Sequence, residues 1–203
     1  MSAESSRAES RRAATPHAVM AEIARRRSAL AFDERPVEAE KLAALVEAAR
    51  WAPSSGNSQP WRVTLVTAGE QRRLLNDALT GANRTWAPAA PLVVVYAARP
   101  EDDFRRDGAD YYLFDCGLSA ENLILQAEHM GLRAHPMVGW NEAAVREALG
   151  IPDGFRVVVL IAVGYAGDPA ALPERLRERE LRERSRRPLR ETFSRERWGQ
   201  GWE

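Results

Sequence analysis

Arg25, Arg26, Arg27 and Ser28 stand together at the end of a helix-like run. A row of guanidiniums beside a hydroxyl can place several charge-assisted hydrogen bonds on a phosphate. The same row also suits a solvated basic helix end, where cations complement the helix dipole, and taken alone it reads that way. Arg184, Ser185, Arg186, Arg187 and Pro188 form a second basic cluster near the other end of the chain. By itself this is a solvated charge run or a weak nucleic-acid patch. Taken as a pair, the two clusters offer arginines from opposite chain ends to one phosphate. Between them lies a third feature, the stretch Pro53, Ser54, Ser55, Gly56, Asn57, Ser58, Gln59 and Pro60, flanked by Trp51 and Trp61. Its hydroxyls, amides and loop backbone groups suit the edge of a flat heterocycle with alternating donors and acceptors. An ordinary Asx or Ser turn between two elements accounts for the same residues, and both readings stand.

These clusters need elements to hold them. Residues 16–27 read as a helix with Val19, Met20, Ile23 and Ala24 on one side, and residues 38–51 as a stronger one through Leu42, Leu45, Val46 and Ala49. Pro53 stops the second. Trp61 to Val66 reads as a strand, residues 70–80 as a short amphipathic helix, and 91–98 as a buried β-branched strand. Residues 109–130 form the longest helix; Leu113, Phe114, Leu118, Leu123, Ile124 and Leu125 leave it little polar face, which predicts a central position. Gly131 is placed to cap it. A short strand at 133–138, a helix at 142–149 ending at Gly150, and an interior strand at 156–165 follow. Helices and strands alternate without a strict βαβ rhythm, so the fold class is α+β, a mixed sheet flanked by helices. Asp115, Ser119 and Asn122 are polar residues in the apolar long helix, read as helix–loop bonds rather than catalytic groups.

The chain has 203 residues, enough for one domain. The expected organisation is a disordered leader at 1–15, a core at 16–168, and an arm at 169–203 belonging to the same domain. Beyond Gly167 the chain is Arg-dense and almost without an apolar stripe, so it cannot fold alone. Leu189, Phe193, Trp198 and Trp202 suggest that it lies against something, a partner subunit by preference. Lys+Arg and Asp+Glu both count 29, which argues against a general nucleic-acid or membrane-surface role. No apolar run approaches the roughly 20 residues of a membrane helix. The single cysteine, Cys116, fits a reducing, cytoplasmic compartment and reads as a buried, inert thiol. The histidines show no metal-ligand spacing with it. A glycine-rich dinucleotide turn and a P-loop are both missing.

Taken in order, Arg26, Arg27 and Ser28 with Phe32, Pro36 and Val37, then "AARWAPSSGNSQPWR", "DCGLSAENLILQAEHMGLRAHPMVGW", "ALGIPDGFRVVVLIAVGY" and "RSRRPL", resemble the flavin-dependent nitroreductase family over about residues 20 to 192. The resemblance implies a homodimer with FMN in the subunit interface and the C-terminal arm extended over the partner. It implies that Arg26, Arg27, Ser28, Arg186 and Arg184 bind the FMN phosphate. Pro53, Ser54, Ser55 and Asn57 would approach the ring from the other subunit, and Asn83 would meet its pyrimidine edge. Pro136, Met137, Val138 and Gly139 would pass over the ring with a backbone N–H near flavin N5, while Gln59 and Trp61 fix the loop. The activity implied is hydride transfer from NADH or NADPH through N5 to a nitroaromatic, quinone-like or other small acceptor. Orientation and charge then come from the protein, with no catalytic acid, base or nucleophile and no metal. Reductive dehalogenation, dehydrogenation or flavin-based redox sensing on the same fold are the alternatives. One position departs from the family pattern: Leu30 stands where a cation near flavin N1 is usual, implying a lower reduction potential unless Arg84 or another residue substitutes.

Overall fold

Two β-branched runs organise the molecule. In the computed structural model, which describes residues 17–202, strand β3 (Leu92–Ala98) is buried along its whole length and pairs with the long strand β7 (Arg156–Ala166). The proposed leader lies outside the described residues. Strand β2 (Trp61–Val66) pairs with the free edge of β3, while β1 (Phe32–Asp33) and β6 (Arg133–Met137) both pair with β7. Every pairing among the described residues is antiparallel, including the small ribbon of β4 (Arg105–Arg106) and β5 (Ala109–Asp110). The expected mixed sheet is therefore corrected to an antiparallel one, because the connections from β2 to β3 and from β6 to β7 begin and finish at the same end of the sheet.

Both faces of the sheet are covered, and the period-two side-chain alternation sorts them. Val93, Val95, Leu160 and Ala162 share one core with α3 (Gly69–Ala78), α4 (Asn83–Trp86) and α6 (Glu142–Leu149), through Leu75, Trp86 and Val145. Leu92, Val94, Tyr96, Ile161 and Val163 share the other with α2 (Ala39–Arg50) and α5 (Tyr111–His129), through Leu45, Ala49, Cys116, Leu123 and Ala127. Each fully buried aliphatic side chain contributes about 1.5–3 kcal/mol, so the two cores dominate stability. Cys116 is completely buried and its thiol is pushed up to about 12, chiefly by burial, which makes it inert.

Helix ends follow local chemistry. Asn141 caps α6 by accepting from the Ala144 N–H at 3.0 Å, and Gly150 closes it in the left-handed region at φ 64°. Gly131, at φ 77°, follows α5 in the same manner.

Three expectations change. The first helix, α1, spans only Ala21–Arg25; Arg26 is already extended at ψ 132°, and Arg184 takes the carbonyls of Ala24 and Arg26. The first half of the long helix is buried on one face only: Tyr112 and Cys116 are buried, while Leu113 and Phe114 are 51% and 62% exposed. The arm is not wholly without an anchor, since α7 (Glu174–Leu181) buries Leu176 and Glu180 against the rest of the chain. Beyond α7 the chain is extended to a short α8 (Leu189–Thr192), and Phe193, Trp198 and Trp202 are exposed.

Gly167 fixes how β1 joins β7. Its N–H donates to Ala31 O at 3.0 Å, and a Cβ there would stand 2.4 Å from the Phe32 carbonyl oxygen, a backbone atom that cannot move aside. Gly167→Ala is expected to destabilise the protein by about 3 kcal/mol, read as a lower midpoint in urea unfolding.

Candidate functional site

The arginines predicted from the two chain ends do meet. After α1 the backbone opens, and Arg27 forms an ion pair with Glu180 of α7 at 3.2 Å and also donates to the Glu180 carbonyl. Glu180 is 5% exposed, and its second carboxylate oxygen accepts the Leu30 N–H at 2.6 Å. The Arg184 guanidinium reaches back to the carbonyls of Ala24 and Arg26. Burial, then repulsion from Arg26, Arg186 and Arg27, holds Arg184 below its ordinary value. Four guanidiniums therefore share one small region. Glu121 approaches Arg26 only to 4.0 Å, and Arg186 donates to the neighbouring Ser185 carbonyl. Ser28 lies exposed beside them.

A second group forms around the end of β6. The Asn83 amide donates to Val138 O at 2.8 Å and to Gly139 O at 3.3 Å, and the Thr80 N–H donates to Gly139 O at 3.0 Å. Gly139 sits at φ 109°, and an added Cβ would crowd Asn83 Nδ2 and Thr80 Oγ1 at 3.2 Å, so only glycine fits easily. The segment Pro136–Gly139 thus becomes a held strap: Met137 is buried and offers only backbone, while Pro136 and Val138 are exposed.

His135, which the sequence reasoning did not assign to the site, links strap and arginines. Its ring stacks on Trp86 with centroids 4.4 Å apart, and its Nδ1–H donates to Ala29 O at 2.7 Å, one residue after Ser28. Burial is the main cause that pushes His135 down to about 4, with Arg179 acting in the same direction. Glu180 was missed as well. Nothing in a charge-dense run distinguishes the one carboxylate that turns inward.

The polar loop is rigid. Gly56, Asn57 and Gln59 have φ of 55°, 60° and 48°, an unusual concentration of left-handed residues. Internal bonds hold it: the Gln59 N–H donates to Ser54 Oγ at 2.9 Å, and Gln59 Nε2 donates to Asn57 Oδ1 at 3.1 Å. Helix α5 anchors it from below. Asp115 Oδ2 accepts the Ser55 N–H at 2.7 Å, Ser119 Oγ donates to Ala49 O at 3.0 Å, and Asn122 donates to Ala48 O at 3.2 Å. The Asp115 bond is the helix–loop contact expected; Ser119 and Asn122 instead bond carbonyls at the end of α2. Pro53, Gly56 and Asn57 face outward, and Ser54 and Ser55 are half-buried.

The chain thus joins Arg26, Arg27, Ser28, Arg184, Arg186 and the strap into one connected region, with Asn83 bonded to the strap. The loop Pro53–Asn57 is secured separately, on α5. Leu30 is not at an open edge: its side chain is 1% exposed, within the core cluster that contains Trp86, because an aliphatic side chain gains more there than at a polar rim. Arg84 is not free to replace a cation, since its guanidinium donates to the carbonyls of Leu79 and Asp77.

An antiparallel sheet between helical layers, with arginines of both chain ends gathered beside a strap, defines a fold shared with known flavoproteins. The family model described as "Nitroreductase family" matches residues 23–89 and 79–165, and the chain belongs to that family. A relative from Archaeoglobus fulgidus, named as an NADH dehydrogenase/NAD(P)H nitroreductase, is 30% identical over 70% of this chain and 82% of its own length. One from Xanthomonas oryzae with the same description is 32% identical over 70% and 81%. Among solved structures, an oxidoreductase described as containing FMN superposes with a TM-score of 0.82 at 32% identity, covering 91% of this chain and 95% of that one. A nitroreductase family protein of Clostridium difficile gives 0.70 at 28% identity, covering 85% and 94%.

Two measurements probe this region. His135 titrates near 6.5 when unfolded and about 4 when folded, so between those values the unfolded chain binds the extra proton. Its contribution is complete above pH 6.5 and is lost as pH falls towards 4, about 3 kcal/mol in all. His135→Gln is expected to flatten the stability–pH slope in that window, measured by urea unfolding at successive pH values. For the loop, Asp115→Ala removes the acceptor for Ser55 N–H. That amide is expected to exchange with deuterium about 10-fold faster or more, as loss of a buried charged acceptor worth about 1.5–3 kcal/mol implies.

Proposed function

We propose that this chain is an FMN-dependent NAD(P)H oxidoreductase that works as a homodimer and reduces a small acceptor such as a nitroaromatic or quinone-like compound. The observation that carries the reading is the gathering of Arg26, Arg27, Arg184 and Arg186 from both chain ends. Glu180 offsets part of the repulsion among these guanidiniums, and a bound anion would offset more. A phosphate monoester, with about two negative charges and several acceptor oxygens, fits this donor set. Family membership and the FMN named in a structure of 32% identity support the same cofactor.

FMN, when bound, supplies the redox chemistry, taking hydride from NAD(P)H and passing it to the acceptor. The protein's part is to bind and orient. Arg26, Arg27, Ser28, Arg184 and Arg186 would hold the phosphate. The Pro136–Gly139 strap, fixed by Asn83 and Thr80, would present backbone groups to the ring at a set height. Pro53, Ser54, Ser55 and Asn57, rigid by their own bonds and by Asp115, would close the ring's environment from the partner subunit. None of these groups needs to transfer a proton to do so.

The dimer rests on the apolar surface that the chain leaves exposed. Val46, Trp51, Leu113 and Phe114 are uncovered on α2, just after it, and on the first half of α5. Phe104 and Tyr111 are also exposed: Tyr111 meets Phe114 ring to ring at 6.5 Å, and Phe104 lies against Gly56 of the loop. Exposed apolar side chains of this number beside a polar loop are what a second copy would cover. The exposed Phe193, Trp198 and Trp202 suit an arm laid across that copy. A cytoplasmic location accords with the single, inert thiol.

The purified protein is expected to be yellow, to run at twice its 22.6 kDa chain mass, and to lose its flavin absorbance on anaerobic addition of NAD(P)H. Arg26→Ala is expected to weaken FMN binding about 10-fold or more, the size of one charge-assisted bond, measured by fluorescence quenching of added FMN. Colourless, single-chain protein that ignores added FMN would refute the proposal.

A further inference from the structure

Helices α4 and α7 enclose a groove of about 810 Å³, within the range of small-ligand sites. Its walls include Ala82 and Thr85 on one side and Arg175, Glu178, Arg179 and Arg182 on the other. Arg175 and Arg179 lie one turn apart on α7 and Arg182 follows at its end, so the three border one side of the groove. Many of the described arginines have a carboxylate: Arg177, on another face of α7, pairs with Glu174, as Arg133 does with Glu128 and Arg156 with Glu142. Among the described residues, Arg175, Arg179 and Arg182 make no ion pair within 4 Å, and all three are exposed. Glu178 is the one carboxylate in the wall, which leaves three cations against one anion.

The groove borders the proposed reaction region. Ala82 precedes Asn83, whose amide holds the strap, and Arg179 is close enough to His135, one residue before the strap, to act on its charge. A dinucleotide with its reactive end at the strap would therefore extend its other end along α7.

We propose that this groove receives the phosphorylated adenosine half of the reductant and that Arg175, Arg179 and Arg182 read its 2′-phosphate, making NADPH the preferred hydride donor over NADH. The inference rests on the reading of this chain as an NAD(P)H oxidoreductase. The excess of two positive charges in the wall matches a phosphate monoester of about two negative charges. Guanidinium forks suit its oxygens, and the Thr85 side lies opposite. NADH offers a ribose hydroxyl at that position and leaves the excess charge unmatched.

The test uses the FMN-loaded protein. Steady-state kinetics should give a kcat/KM for NADPH at least 10-fold above that for NADH. Calorimetry should show adenosine 2′,5′-bisphosphate binding at least 10-fold tighter than adenosine 5′-monophosphate. The double variant Arg179→Gln with Arg182→Gln should bring both ratios close to one while the flavin-to-protein absorbance ratio is retained. The three arginines are exposed, and a thermal melt confirms that the variant is folded. Flavin-loaded protein that uses both dinucleotides equally, or a variant that keeps the NADPH preference, overturns the inference and leaves the enzymatic reading intact. Protein that holds no flavin and is reduced by neither dinucleotide overturns both.

Discussion

A buried carboxylate keeps the two ends of this chain together. Glu180 accepts from the Arg27 guanidinium on one oxygen and from the Leu30 N–H on the other, and it is almost inaccessible to water. Removing two charges from solvent costs several kcal/mol per ion, and Coulomb attraction offsets that only when the remaining lone pairs are also satisfied. The Leu30 N–H helps to meet that condition. Hydrophobic burial is a poor substitute here: Leu176 is the one apolar side chain that α7 buries, contributing about 1.5–3 kcal/mol. The arm is therefore docked mainly by polar bonds. Once docked, it brings Arg184 onto the carbonyls of Ala24 and Arg26, where α1 has unwound. The end of α1, the course of the arm and the arginine cluster are three consequences of one inward-facing glutamate.

The cores were readable from the sequence for a different reason. Leu92–Ala98 and Arg156–Ala166 are runs that only a two-sided burial can accommodate, and no competing structure uses that many β-branched residues. Helix α2 and helix α6 likewise follow from periodic apolar residues and, in α6, from Asn141 and Gly150 at its ends. The sheet's antiparallel order was less legible, since strand direction depends on how connections return and not on the strands themselves. Leu113 and Phe114 show a related ambiguity. An apolar residue in a helix does not say by its type whether this chain covers it, and these two are exposed.

The candidate site divides along the same line. Arg26, Arg27, Ser28, Arg184 and Arg186 could be picked out by type, and Ser54 to Asn57 by their density of short polar groups. Their supports could not. Glu180 is one of several glutamates in an alternating charged run, and only the fold decides which one turns inward. His135 looks like a lone histidine on a strand, yet it bridges Ala29 to the strap by way of a ring stacked on Trp86. Leu30 shows what residue type alone leaves open: its aliphatic side chain is buried in the core cluster with Trp86.

Net charge conceals the distribution that matters. The chain carries 29 basic and 29 acidic residues, and a uniform arrangement would leave no field for an anionic ligand. Pairing is not uniform. Carboxylates at Glu47, Asp77, Asp110, Glu128, Glu142 and Asp153 are engaged by nearby arginines away from the arm. Ion pairs of that kind contribute little to stability where they are exposed, but they neutralise their own surroundings. The arm keeps a surplus, with Arg175, Arg179, Arg182 and Arg186 outside any ion pair within 4 Å among the described residues. Such a surplus, set beside low-dielectric walls, produces a local positive potential that raises the concentration of phosphorylated ligands at one face. A neutral protein thereby attracts anions by where its carboxylates are engaged rather than by how many it has.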